Sequence, residues 1–122
     1  MTKATETLKH PRIAMLSLIP QLSIEQLNHI PTGFNNNIIW NLGHMVAAQQ
    51  GICYKRAGLN TIIDDDFFNT YKPGTKPERF IDAGEAEQIS SLLLSTLDQL
   101  ATDLGNNIFV RMLKLLNYFQ TY

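Results

Sequence analysis

Three histidines are the side chains of this sequence best suited to bind a transition metal or to move a proton. His10 and His29 lie beside prolines or turn residues, so we expect both to face solvent. His44 follows Trp40 by four positions and precedes Ala48 by four, which places the three side chains on one helix face. A buried neutral imidazole needs a partner for its N–H and for its lone pair, and a metal ion can serve the lone pair. The spacing alone favours a core or capping histidine over a metal ligand.

An acidic run and a single cysteine are the other candidate sites. The run Asp64–Asp66 could offer oxygen ligands to a hard cation, but adjacent carboxylates seldom converge and no glycine-centred calcium-binding loop follows. We expect these residues to lie in a solvated loop. Cys53 lies on an apolar helix face, where burial suppresses the reactive thiolate, so we expect a structural cysteine. The sequence has no second histidine four positions from His44, no phosphate-binding glycine loop and no nucleophile elbow.

Apolar periodicity predicts the helices that position these residues. The first helix is predicted over residues 11–21, with Pro11 in its first turn and a bend or end at Pro20. A capping box between Ser23 and Gln26 predicts one further short turn. The second helix, which carries His44, is predicted over residues 38–57 and is expected to be buried on more than one side.

The remainder of the chain reads as a long crossover followed by two more helical segments. Residues 59–81 are rich in turn formers but contain four aromatic side chains, so we expect a loop packed across the helices. The third helix begins after the capping residue Asp82 and ends at Gly105. An apolar segment over residues 108–122 also has helical spacing. These elements predict an all-α bundle that occupies residues 1–122 as a single domain.

The composition excludes several classes of protein. Ten Lys and Arg residues balance eleven Asp and Glu residues, and the net charge of −1 gives no positive field to attract nucleic acid or anionic lipid. One cysteine excludes an internal disulfide and a cysteine-based zinc cluster. The polar N-terminus lacks a signal sequence, and no apolar run approaches the roughly 20 residues that span a bilayer. We therefore expect a cytoplasmic protein with no membrane or nucleic-acid partner.

The segment over residues 27–58 resembles the second-helix region of the DinB/YfiT-like superfamily. It has a proline and a turn, then Ile-Trp, then a histidine four residues after the tryptophan. The YKPGTKPERF crossover and the third helix are similar too, so the resemblance covers most of residues 8–110. It implies a four-helix bundle, often dimeric, and many members hold nickel or zinc through three histidines. The implied activities are thiol-dependent transfer, isomerisation and metal-dependent hydrolysis.

Under this resemblance His44 matches the metal ligand of the second helix. The other two ligands would be a histidine pair four residues apart on the fourth helix, and this sequence has neither. Its ending, LNYFQTY, is similar to the lead-in to that pair, and the passage over residues 106–111 is short for the family's loop. We therefore expect a bundle that is incomplete at the C-terminus, with a truncated last helix. Residues 1–122 alone are expected to hold no metal tightly and to have no catalytic activity.

Two functions remain open at this point. The first is a metal-dependent thiol transferase or hydrolase in which His44 is one ligand of a nickel or zinc ion. The alternative is a metal-free helical module that associates through an exposed face of the fourth helix. A homodimer is expected in either case. The substrate, a small molecule or a thiol, is not indicated by any motif.

Overall fold

The computed structural model describes residues 3–108, in which every regular element is helical. The predicted all-α bundle is therefore confirmed for this part of the chain. The elements, in chain order, are α1 (Lys3–Leu18), a 3₁₀ turn (Ile19–Gln21), α2 (Ile24–Asn28), α3 (Ile38–Gln50), a π-helical turn (Gly51–Lys55), α4 (Asp65–Tyr71) and α5 (Ala83–Gly105). The long helix α5 packs against both α1 and α3, and α4 packs against α3.

Helix α1 is longer than the sequence predicts. It begins at Lys3, so the prediction of a start at Pro11 is wrong, and Pro11 lies in the helix interior. Two of the buried side chains of α1 are polar, Thr5 and Arg12, and apolar periodicity does not detect them. The Arg12 guanidinium donates to the carbonyl oxygen of Leu93 at 2.8 Å and to the hydroxyl of Thr96 at 3.2 Å. A charge-assisted bond of this kind fixes α1 against the bundle.

Helix α3 begins where the sequence predicts, because the side chain of Asn37 accepts a hydrogen bond from the backbone N–H of Trp40 at 2.8 Å. Its α-helical part ends at Gln50 and continues as a π-helical turn to Lys55. The helical segment therefore ends two residues before the predicted residue 57, and Gly58, which follows it, adopts the left-handed conformation with φ at 74°. The prediction of burial on several sides is confirmed by Ile39, Trp40, Leu42, Gly43, Val46, Ala47 and Gln50.

The crossover contains a helix that the sequence analysis did not predict. Asp64 accepts a hydrogen bond from the N–H of Phe67 at 2.7 Å and so caps α4. The run Asp64–Asp66 is solvent-exposed as predicted, but it begins a helix instead of lying in a loop, because carboxylates stabilise a helix N-terminus. Phe67 and Tyr71 pack into the core as expected, whereas Phe80 is 57% exposed.

Helix α5 follows its prediction closely. Asp82 accepts a hydrogen bond from the N–H of Glu85 at 2.8 Å, and the helix ends at Gly105. Its buried stripe includes Ile89, Leu93, Leu97 and Leu100, and the first two belong to the core that α3 and α4 also form. The predicted last helical segment falls almost wholly on residues 109–122, outside the described residues. The predicted single domain over residues 1–122 stays a prediction. Within residues 3–108 no helix combines the length and the apolarity that crossing a bilayer requires.

Candidate functional site

His44 is half-buried and held by two contacts. Its ring stacks on the indole of Trp40, with the ring centroids 4.9 Å apart and the planes within 9° of each other. Its Nδ1 lies 2.8 Å from the backbone carbonyl oxygen of Tyr71. A carbonyl oxygen only accepts, so the hydrogen bond assigns a proton to Nδ1, and in the neutral imidazole the lone pair is then on Nε2. Nε2 has no hydrogen-bond partner among the residues that the structure describes.

The carbonyl that binds His44 is available because Tyr71 is the last residue of α4. The last carbonyls of a helix lack partners within the helix and must find them elsewhere. For the residues on either side of Tyr71 this partner is Thr75, whose single hydroxyl proton is shared between the carbonyl oxygens of Lys72 at 2.7 Å and Thr70 at 3.0 Å. His44 serves it for Tyr71, so the imidazole acts as a side-chain cap of α4.

Gly43 lets the end of α4 approach α3 closely. A Cβ atom at this position would lie 2.5 Å from Cδ1 of the Tyr71 ring and within 2.8 Å of two further ring carbons. These distances are well inside van der Waals contact, so a larger residue could not occupy this position unless the ring moved. The tyrosine ring is also packed against Phe67, with centroids 4.8 Å apart. The glycine next to His44 is therefore part of what brings the Tyr71 carbonyl to the imidazole.

The hydroxyl end of Tyr71 is held by an ion pair. It donates a short hydrogen bond to Glu85, and Arg79 donates to both carboxylate oxygens of Glu85 at 3.0 and 3.1 Å. Burial of the phenol, followed by its hydrogen bond to Glu85, raises the pKa of Tyr71 well above its ordinary value. The phenol therefore remains a donor throughout the physiological pH range.

A cleft of about 650 Å³ adjoins these residues. Trp40, which stacks on His44, and Tyr71, which accepts its hydrogen bond, both line the cleft, whereas His44 itself does not. Its volume falls in the range typical of small-molecule sites. Trp40 is only 8% exposed, and its indole N–H has no hydrogen-bond partner among residues 3–108. The other lining residues are Asp66, Asn69, Thr70, Thr75, Lys76, Pro77, Glu78, Arg79 and Ile81.

The other residues singled out from the sequence do not join His44. His10 and His29 are solvent-exposed, as expected. Cys53 is half-buried, and burial raises the pKa of its thiol, although the charge of Arg12 acts in the opposite direction. This environment agrees with the expected suppression of the thiolate.

The residues present do not make up the three-histidine metal site that the resemblance implies. Among residues 3–108 no three side chains of His, Cys, Asp or Glu converge on one point. Residues 109–122 contain none of these four residue types. The histidine pair that the resemblance implies beside His44 is not in this sequence.

The sequence singled out His44 and placed Trp40 on the same helix face, in agreement with the observed ring stack, but it did not indicate the contacts of His44 and Gly43 with Tyr71. Gly43 was detectable, because a glycine inside an apolar helix often marks a close approach of another group. Glu85 carries a local capping signal together with Asp82, but nothing in the sequence marks its contact with Tyr71. No sequence signal marks the backbone carbonyl of Tyr71 as a partner of His44, since every residue has a backbone carbonyl.

The fold and the site define a helical bundle in which one imidazole is oriented at the junction of two helices. The family model of the DinB superfamily matches residues 8–116, and the chain belongs to this superfamily. No curated protein and no solved structure matches the chain. The resemblance noted in the sequence is thus confirmed at the level of the superfamily.

Proposed function

We propose that His44 is one ligand of a divalent-metal site of the kind that thiol transferases or hydrolases use, and that residues 1–122 alone neither hold the metal tightly nor catalyse. One observation carries the first half of this proposal. The Nδ1–H of His44 is bound to the Tyr71 carbonyl and Nε2 keeps its lone pair. Metal-ligating histidines commonly donate their second ring N–H to a carbonyl or carboxylate in this way, which fixes the tautomer and the ring plane.

The second half rests on the number of ligands. Zinc in a catalytic site ordinarily has three protein ligands and one open position. Among residues 3–108 no three side chains of His, Cys, Asp or Glu form a group that could hold a metal ion, so His44 lacks a complete set of ligands there. One imidazole binds Ni²⁺ or Zn²⁺ weakly, because no second ligand offsets the loss of the ion's hydration shell.

The alternative, a metal-free association module, stays a prediction. Its expected surface is a face of the fourth helix, which falls outside the described residues. The homodimer stays a prediction for the same reason. Light scattering on the purified chain would measure its mass in solution.

The test is a calorimetric titration of Ni²⁺ or Zn²⁺ into the chain, purified without a histidine tag. We expect binding weaker than about micromolar. With substoichiometric Ni²⁺, we expect paramagnetic broadening of the His44 ring signals in NMR spectra. In His44→Ala, we expect the calorimetric heat that comes from Ni²⁺ binding at His44 to be absent. His29→Ala is the matched control, because His29 is exposed and outside the site.

Two results would overturn the proposal. Stoichiometric binding tighter than about micromolar that disappears in His44→Ala would show that residues 1–122 suffice to hold the metal. His44 signals that are unaffected by Ni²⁺ would remove His44 as a ligand. In addition, the loss of stability in His44→Ala should not depend on a chelator, since we expect the wild-type chain to hold no tightly bound metal.

A further inference from the structure

We propose that the ion pair between Arg79 and Glu85 is a positioning device for His44, which acts through Tyr71. The pair anchors the Tyr71 hydroxyl, and the Tyr71 carbonyl fixes the plane and the tautomer of the His44 ring. Glu85 and Arg79 are thus positioning residues for the site. Their importance for metal binding rests on the proposed function of His44, but the geometry and its test need no metal.

The ion pair of Glu85 and Arg79, which we call the anchor, is rigid because Glu85 is held by α5. Glu85 is the third residue of α5, and its backbone N–H is bound to the capping side chain of Asp82 at 2.8 Å. A carboxylate in the first turn is favoured by the partial positive charge of the helix N-terminus. Its two oxygens receive the fork of Arg79, so the carboxylate cannot rotate freely. The Tyr71 hydroxyl therefore donates to an acceptor whose position is fixed by its own helix.

Tyr71 transmits this constraint because its side chain has little freedom. The residue is 1% exposed, and its ring is confined by Gly43 on one side and Phe67 on the other. A tyrosine side chain has only two rotatable torsions that place its ring, so fixing the ring and the hydroxyl restricts the backbone of the same residue. That backbone ends α4, and its carbonyl receives the Nδ1–H of His44.

The position of the Tyr71 carbonyl determines which of the two ring nitrogens of His44 carries the proton. A carbonyl bound to Nδ1 stabilises the tautomer with the proton on that nitrogen and leaves Nε2 as the free acceptor. If the carbonyl moves away, this preference is lost and the two tautomers mix. The tautomer equilibrium of His44 therefore reports directly on the anchor.

The experiment is a long-range ¹H–¹⁵N NMR correlation of the imidazole nitrogens, recorded about two pH units above the ordinary histidine pKa of roughly 6.5. In the wild-type protein we expect Nδ1 of His44 at a protonated shift and Nε2 at an unprotonated shift. In Tyr71→Phe, which retains the ring and the carbonyl, both shifts should move towards each other. Glu85→Gln, which retains an acceptor, should change them in the same direction by a smaller amount.

Tyr54→Phe is the matched control. Tyr54 is 2% exposed and donates to Asp103 at 2.5 Å, so it is also a buried tyrosine bound to a carboxylate of α5. Asp103 lies in the last turn of α5, whereas Glu85 lies in the first, so the two anchors are at opposite ends of the helix. Removal of the Tyr54 hydroxyl should leave the His44 shifts unchanged. This control separates loss of the anchor from a general loosening of the bundle.

The positioning role is overturned if wild-type His44 carries its proton on Nε2, or if Tyr71→Phe and Glu85→Gln leave both nitrogen shifts as they are. An equal change in Tyr54→Phe would also overturn it. Backbone amide spectra show whether each variant is folded, and Glu85→Gln provides the answer if Tyr71→Phe does not fold. If Ni²⁺ does not bind at His44 but the wild-type His44 ring keeps its proton on Nδ1, the proposed function is wrong and the positioning role remains supported.

Discussion

Replacement of Gly43 by alanine tests the packing on which the His44 geometry depends. In most helix interiors this change is stabilising by about 1 kcal/mol, because alanine has the higher helix propensity. Here the new Cβ would lie 2.5 Å from the Tyr71 ring. The ring cannot move easily, because it is buried and its hydroxyl is bound to Glu85. Overpacking of this kind costs about 1–3 kcal/mol, and loss of the His44 hydrogen bond adds about 1 kcal/mol. We expect a net destabilisation of about 2 kcal/mol.

The measurement is urea unfolding of Gly43→Ala beside the wild-type protein and a control, Gly84→Ala. Gly84 also lies in a helix, but the nearest atom to its added Cβ is a side-chain oxygen of Asp82 at 3.5 Å, which is ordinary contact. The control should be neutral or more stable by up to about 1 kcal/mol. The same change in a Tyr71→Ala background should lose its cost, because the ring that it meets is gone. The gain in helix propensity of about 1 kcal/mol remains in that background, so the change should turn from destabilising by about 2 kcal/mol to stabilising by about 1 kcal/mol. A coupling free energy of about 3 kcal/mol between the two positions is therefore expected.

Two outcomes would refute this account of the packing. One is a Gly43→Ala variant as stable as the control variant. The other is a coupling between positions 43 and 71 below about 0.5 kcal/mol, since residues in direct contact should not be additive. Either result would mean that the end of α4 can shift at little cost, and that the Tyr71 carbonyl is not held in place for His44.

Two further predictions concern the burial of Trp40 in the core and the pH dependence of the free energy of unfolding. Trp40→Ala should cost about 3–5 kcal/mol in unfolding experiments, the usual range for removing a buried aromatic side chain, and a loss below about 1 kcal/mol would contradict its burial. The pKa of Tyr54 is raised by burial and by its bond to Asp103, so the stability that it contributes is fully present below the ordinary tyrosine pKa of about 10 and is lost as the pH rises further. Stability curves measured from neutral to strongly alkaline pH should therefore fall less steeply in Tyr54→Phe, and equal slopes would contradict the assignment.

The helix boundaries that the sequence predicted correctly are those with a local chemical cause. Asn37 and Asp82 cap α3 and α5 through their own side chains within three residues along the chain. Gly58 takes a positive φ that other residues rarely adopt. Each of these causes acts over a few neighbouring residues, so the residue types alone suffice to locate the boundary.

Two errors in the helix assignments, the start of α1 and the missing helix α4, have different causes. The first helix was predicted to begin at Pro11, yet it extends back to Lys3, and Arg12 in its interior is buried by hydrogen bonds to α5 that apolar periodicity does not indicate. The acidic run after residue 63 reads as a loop, although Asp64 caps a helix whose Phe67 and Tyr71 anchor it in the core. The contacts of Arg12 join residues 81 and 84 positions apart, and periodicity within one segment does not reveal them. The cap at Asp64 is local, so the start of α4 was within reach of sequence reasoning; the packing of Phe67 and Tyr71 into the core was not.

The environment of His44 shows why its two interpretations are not exclusive. From spacing alone, a capping histidine and a metal-ligating histidine were alternatives. In the structure Nδ1 caps α4 through the Tyr71 carbonyl, and this same bond places the lone pair on Nε2. A purely structural cap needs only the first nitrogen and makes no use of the second. The capping bond therefore creates the free acceptor that a metal ligand requires, and the Ni²⁺ titration measures whether Nε2 serves as one.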